Sequence, residues 1–319
     1  MTHEFDLIRR HFAGLTPAGD DVLRGPGDDC ALLRTPPDRD LAVSIDTLVE
    51  DVHFPAATAP DDIGWKSLAC GLSDLAAAGA RPGWCLLSLT CPAADEAWLG
   101  AFADGFGALA RREGLNLAGG DISGGGLSIT VQVAGYVERG GGLSRAGAQP
   151  GDGVFLSGWP GRAAAGLARR LASTGEPNDP LVEALDRPQP RTRLGLELAG
   201  AGVSVCIDVS DGLVADLSHI LAASGAGAEV EAAALPIAPE LAAAGSPAQV
   251  REWLLGGGDD YELCFTGPYD LDIDDLAEAG GIAVTRIGRI TAGGGLQLVE
   301  ADGRRSTLTD AVGYRHFSN

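Results

Sequence analysis

The chain has 319 residues, with 44 Asp plus Glu against 23 Lys plus Arg, a formal net charge of −21 and a pI near 4.4. That surplus repels phosphate backbones and anionic lipid, so binding to nucleic acid or to a membrane surface is not expected. Hydrophobic residues make up 45% of the chain, which excludes wholesale disorder, and the length suits two domains or one large one. Helical and strand periods alternate from end to end. Residues 41–49 read as a strand, 62–78 as a helix opened by Pro60-Asp61 and closed by Gly79, 84–91 as a strand, 95–113 as a helix and 127–138 as a strand. After a Gly-rich turn, 153–157 read as a strand and 161–174 as a helix. The Pro-rich piece 177–190 reads as a loop around at most one short helix. Residues 192–200 read as a helix, 203–209 as a strand, 212–224 as a helix, 261–266 and 283–290 as strands, and 270–279 as the helix between them. The best break lies near residue 148, giving two α/β domains, 1–148 and 149–319.

None of the six cysteines forms Cys-x-x-Cys, and most lie in apolar stretches, as expected of reduced thiols in a cytoplasmic protein. The N-terminus lacks an apolar signal core, and no long uncharged apolar run is present. Lys66 is the only lysine, and it sits in Gly64-Trp65-Lys66-Ser67 without the Gly-x-x-x-x-Gly-Lys spacing, so a P-loop is ruled out.

Acids recur beside glycine at segment ends: Gly27-Asp28-Asp29, Ser44-Ile45-Asp46-Thr47, Gly119-Gly120-Asp121, Asp208-Val209-Ser210-Asp211-Gly212 and Gly257-Gly258-Asp259-Asp260-Tyr261-Glu262. Asp74 falls inside a mostly apolar helix. Plain structural roles stand beside functional ones: Asp28 and Asp29 suit a turn, and Asp211 suits the N-cap of the helix at 212–224. Asp46 and Asp208 are harder to explain so, because strands disfavour Asp and strand C-termini are where α/β proteins place ligands. Buried carboxylates need partners, and here those are Arg, backbone amides or a metal. The donors are hard oxygens, without the His/Cys mixture of a zinc site or the spacing of a calcium loop, so a Mg2+-dependent phosphoryl-transfer site is the preferred reading. Arg145, on a Gly-flanked loop, could reach a phosphate, and His53 follows the Asp46 strand closely enough to touch substrate.

Gly27-Asp-Asp-Cys-Ala-Leu-Leu33, Ser44-Ile-Asp-Thr-Leu-Val-Glu-Asp-Val-His-Phe54, Leu72-Ser-Asp-Leu-Ala-Ala-Ala-Gly-Ala80, Gly119-Gly-Asp121, Asp208-Val-Ser-Asp-Gly-Leu213 and Gly258-Asp-Asp-Tyr-Glu-Leu-Cys-Phe265 stand in this order along nearly the whole chain. In these motifs the chain resembles the thiamine-monophosphate kinases of the aminoimidazole ribonucleotide synthetase superfamily. The resemblance implies a two-domain PurM-like fold, α/β (α+β), with an N-terminal ATP/Mg-binding and dimerisation domain and a C-terminal α/β domain. It implies ATP-dependent phosphorylation of thiamine monophosphate by direct in-line transfer, with several Mg2+ ions and a homodimer. By matching motif it implies Asp29, Ser44, Ile45, Asp46, Asp74, Asp121, Asp208 and Asp211 as metal contacts, with Asp121, Asp208 and Asp211 central to catalysis. It implies Gly120, Asp121, Arg145 and Ser210 as ATP contacts, and His53, Asp259 and Tyr314 as contacts to the thiamine phosphate. Ile45 stands where the family often has Thr, and Asp259 where it more often has Glu. Other ATP-using enzymes of the superfamily, such as aminoimidazole ribonucleotide synthetase, and a non-catalytic acidic nucleotide- or metal-binding protein are the alternatives.

Overall fold

The computed structural model describes residues 4–16, 19–174 and 178–309, which form two compact units. The first spans Met1–Leu75 and Ala80–Gly141; the second spans Gly142–Asn319 and takes in Ala76–Gly79.

The first unit opens with α1 (Glu4–Leu7), a π-helical turn (Ile8–Phe12) and an antiparallel pair, β1 (Val22–Arg24) and β2 (Leu32–Leu33). Then follow β3 (Arg39–Val49), α2 (Pro60–Ala77), β4 (Arg81–Cys91), α3 (Glu96–Glu113), β5 (Asn116–Gly124) and β6 (Ser128–Glu138). The four longer strands form one sheet in the order β3-β6-β4-β5, antiparallel except for β4 beside β5. Alternation decides which face is covered. Ile129, Val131 and Val133 on β6, with Leu87 and Leu89 on β4, are buried. Gly71 of α2 lies so close to Val133 that an added Cβ would come within 2.9 Å of it. α2 in turn meets α3 backbone to backbone: a Cβ on Gly64 would lie 2.1 Å from the Phe102 carbonyl, and one on Gly105 only 1.8 Å from that of Asp61. A stack of Trp98, Phe102 and Phe106 fills out α3. The opposite face of β3 stays open, with Val43 54% and Ile45 64% exposed.

The second unit runs β7 (Gly153–Ser157), α4 (Arg162–Leu171), α5 (Pro180–Asp186), α6 (Thr192–Gly200), β8 (Val205–Val209), α7 (Leu213–Ser224), β9 (Gly227–Glu231), a 3-10 turn (Ala232–Ala234), α8 (Pro239–Ala244), α9 (Pro247–Gly256), β10 (Glu262–Gly267), α10 (Ile273–Gly280), β11 (Val284–Thr291), β12 (Gly295–Val299) and β13 (Arg305–Leu308). Its seven strands are ordered β13-β12-β9-β11-β7-β10-β8, all antiparallel pairs except β12 beside β9. Both faces are covered. Val154, Leu156, Ile207 and Cys264 pack with Leu217 and Leu254 of α7 and α9, while Phe155, Cys206, Leu263 and Phe265 pack with Leu194, Leu198 and Leu276 of α6 and α10. A strand buried on both sides needs apolar residues at every position, which is why β7, β8 and β10 read as continuous runs rather than alternating ones.

The expected elements form, with ends shifted by a few residues, and the Pro-rich piece contains α5. β5, β9, α8, α9, β12 and β13 lie where periodicity suggested nothing. β5 and β9 each begin just past a helix-ending Gly, and β5 carries Gly119-Gly120-Asp121, a composition with no strand signature.

Candidate active site

In the first unit Ser44, Asp46 and Asp74 gather on the helix-covered face. Ser44 lies directly across from Val133, and α2 crosses that face at Gly71, so Asp74, three residues further along the helix, comes down over β3. The Ser44 hydroxyl donates to the Asp74 carboxylate at 2.5 Å. The apolar neighbours of Asp74 in sequence are thus accounted for, since it is a partly buried acid with a hydroxyl partner. Ile45 points the other way. Its side chain lies on the open apolar face, so only its backbone oxygen can serve a metal.

Asp121 is not with that group. The cross-strand row through it is Thr47, Thr130, Ser88, Asp121, whereas Asp46 shares its row with Val131, Leu87 and Gly120. A one-residue offset places the two acids on opposite faces. They also sit on opposite edge strands, three strand spacings or about 14 Å apart. Asp121 is exposed and accepts from the Ser123 hydroxyl at 2.7 Å. Gly120 owes its identity to packing, because a Cβ there would lie 1.9 Å from the Leu87 carbonyl across the β4–β5 pairing. Asp29 is exposed in the turn between β1 and β2; its amide donates to Asp28 at 2.8 Å, and Asp28 pairs with Arg24 at 3.1 Å. His53 closes the turn after β3, its Nδ1 accepting from the Val49 amide at 3.0 Å, which places the neutral ring's proton on Nε2.

In the second unit, Asp208, Ser210, Asp211 and Asp259 come together at one end of the neighbouring strands β8 and β10. Asp208 is 5% exposed and opposite Leu263, and past the regular ladder the Tyr261 and Asp259 amides donate to the Val209 and Ser210 carbonyls, each at 2.8 Å. Asp259 and Tyr261 both hold positive φ, at 65° and 52°, and the Tyr261 hydroxyl donates to Asp259 at 3.1 Å. Strain of this kind at non-glycine residues persists only where surrounding contacts over-determine it. Those contacts come from the two other acids of the motif. Asp260 accepts from the Gly161 amide at 2.6 Å, at the start of α4, and burial pushes its pKa well up against the pull of that amide. Glu262 is clamped by Arg191 through two bonds, at 2.5 and 2.7 Å, and takes the Ser157 hydroxyl at 2.5 Å. Arg145 lies elsewhere, exposed on the loop whose Ser144 bridges to Val205, the opposite end of β8 from Asp208. Tyr314 falls outside the described residues.

The expectation that Asp211 could cap α7 is not met. The cap residue is Gly212, which has no side chain to accept from the first helical amides; Asp216, from the first turn of the helix, reaches back instead. Its Oδ2 accepts from the amides of Ser210, Asp211 and Gly212 at 3.0, 3.1 and 3.1 Å. Burial pushes its carboxyl up to about 7, with those amides opposing and the Asp211 charge adding to the rise. Sequence reading passes over Asp216 and Arg191, and places Asp260 and Glu262 in their motif without giving either a role. The available signal for Asp216 was an acid near the start of an otherwise apolar helix.

The donors suit a hard cation in kind: carboxylate, hydroxyl and carbonyl oxygens, with no thiol in either set. Among the described residues no three His, Cys, Asp or Glu side chains already converge as a metal site. Mg2+ keeps waters and usually binds through one or two carboxylates plus substrate phosphate, so the magnesium reading does not depend on such a cluster.

Fold and acids together place the chain among the AIR synthase related proteins: their N-terminal domain family matches residues 27–137 and their C-terminal domain family residues 149–300. The thiamine-monophosphate kinase of Escherichia coli strain K12 is 43% identical over 326 residues, covering 99% of this chain and 98% of the relative. The crystal structure of the enzyme of that name from Stenotrophomonas maltophilia K279a superposes with a TM-score of 0.85 at 45% identity, covering 90% of this chain and 93% of that one. A solved complex described as "AaThiL complexed with AMPPCP and TMP" superposes at 0.77 with 30% identity, covering 89% of each chain. The chain belongs to the thiamine-monophosphate kinase family.

Proposed function

We infer that the chain phosphorylates thiamine monophosphate to thiamine diphosphate at the expense of ATP, in thiamine diphosphate biosynthesis. The observation that carries this is likeness over the full chain to enzymes of that name, joined to the acids found in both units. In this reading Asp29, Ser44, Asp46, Asp74 and Asp121, with the Ile45 backbone, hold Mg2+ in the N-terminal domain, 1–148. Asp208 and Asp211 hold it in the C-terminal domain, 149–319. Asp46 and Asp121, on opposite edges of one sheet, serve different ions within a unit. Magnesium, when bound, neutralises phosphate charge and aligns the two phosphates.

The chain's own residues then position the reactants. Gly120, Asp121, Arg145 and Ser210 bind ATP, the guanidinium of Arg145 replacing the lysine of a P-loop. His53, Asp259 and Tyr314 bind the thiamine phosphate, with Nε2–H of His53 as donor. The nucleophile is an ionised phosphate oxygen, so no strong general base is required, and the rate comes from positioning and electrostatics. The open apolar face of β3, with Leu41, Val43 and Ile45, supports a homodimer built from N-terminal domains. Among the described residues no helix is long and apolar enough to cross a membrane. We place the enzyme in the cytoplasm, where its six free cysteines stay reduced. Incubation with ATP, Mg2+ and thiamine monophosphate, with products separated by chromatography, is expected to give thiamine diphosphate and ADP in equal amounts. ATP consumed without thiamine diphosphate would refute the reading.

A further inference from the structure

A strand-turn-helix junction with three consecutive inward-facing amides is ordinarily an anion cradle, open to a phosphate. At the junction of β8 and α7 that cradle is already filled. The amides of Ser210, Asp211 and Gly212 all donate to one oxygen of Asp216, a residue only 3% exposed. With its N–H groups spent, the turn presents the side-chain oxygens of Ser210 and Asp211, beside Asp208 at the end of β8. The charges beside it, on Asp208 and Asp211, favour a cation, and with its amides spent the backbone of the turn offers phosphate no direct hold. Gly212, at φ 122°, has no room for a side chain: an added Cβ would sit 2.9 Å from the Gly256 backbone, so the turn is held from that side as well.

We propose that Asp216 is a positioning residue that converts the start of α7 from a phosphate cradle into a cation-facing turn, fixing Asp208 and Asp211 for Mg2+. The proposal rests on the reading of those two acids as magnesium contacts. Outer partners of metal ligands typically change metal affinity by about 10- to 100-fold when removed.

Asp216→Ala is therefore expected to raise the Mg2+ concentration giving half-maximal turnover about 10-fold, leaving the KM for thiamine monophosphate within about twofold. Asp216→Asn, which keeps an acceptor oxygen in place, recovers part of the loss. Asp211→Asn, measured alongside, separates the two ideas. A shifted Mg2+ requirement in Asp211→Asn with none in folded Asp216→Ala overturns the role of Asp216 and leaves the metal reading standing. No shift in either variant overturns both. Hydrogen exchange on the unmodified protein, without metal or nucleotide, gives a readout independent of activity and of variant folding. The Ser210, Asp211 and Gly212 amides should be protected, and rapid exchange at all three would overturn the proposal.

Discussion

Asp259, Asp260 and Glu262 stand within four residues of one another and do three different things. Asp259 is presented on strained backbone, Asp260 ties the motif to the start of α4, and Glu262 holds Arg191 inside the second unit. Removing Glu262 leaves a guanidinium largely buried without its charge partner, so Glu262→Ala should cost about 3–5 kcal/mol, read by chemical denaturation. Asp121→Ala removes an exposed side chain with a single hydroxyl partner. Turnover should fall by at least about 100-fold while the melting temperature moves by only a few degrees. Near-normal turnover at saturating Mg2+ would remove Asp121 from the metal set. Tyr136 gives a pH test away from the acids. Burial, then its bond to Asp21, pushes its phenol up to about 12, against about 10 in the unfolded chain. The raised value means that its contribution to stability is complete below about pH 10 and is lost as pH rises through 12. Ultraviolet titration of the folded protein should therefore show a tyrosine ionisation near pH 12 that is lost in Tyr136→Phe.

At the scale of elements, β5 shows how packing overrides propensity. Its Gly119-Gly120-Asp121 stretch is poor strand material, yet it pairs in parallel with β4 because a residue without Cβ is needed against Leu87. Gly120→Ala should push β5 away from β4 and destabilise the first unit by roughly 1–3 kcal/mol. Because Asp121 is the next residue, turnover should fall in the protein that remains folded, measured as kcat per folded chain.

For the whole molecule, the acid surplus and the open β3 face make separate predictions. Chelation of Mg2+ should abolish turnover and the binding of both anionic substrates, since the acids would otherwise repel them. Val43→Asp puts a charge on the exposed apolar face without touching the buried one. Light scattering should then give a mass near that of one 32.5 kDa chain, where the proposed dimer of the unaltered protein would give twice that. A variant that still runs as a dimer would show that another surface holds the copies together.

The alternation of helix and strand, the absence of a P-loop and the motifs in order were all legible in the residues. Each depends on local spacing, which a linear chain records directly. Register was not legible. Only the paired sheet puts Asp46 and Asp121 on opposite faces, because a one-residue offset between strands reverses every side chain and no local pattern encodes it. Nor could spacing show which acids are tied to amides or to an arginine inside the fold. Asp216, Asp260 and Glu262 read as more of the same charge until the chain folds and brings three amides, a helix start and an arginine to meet them.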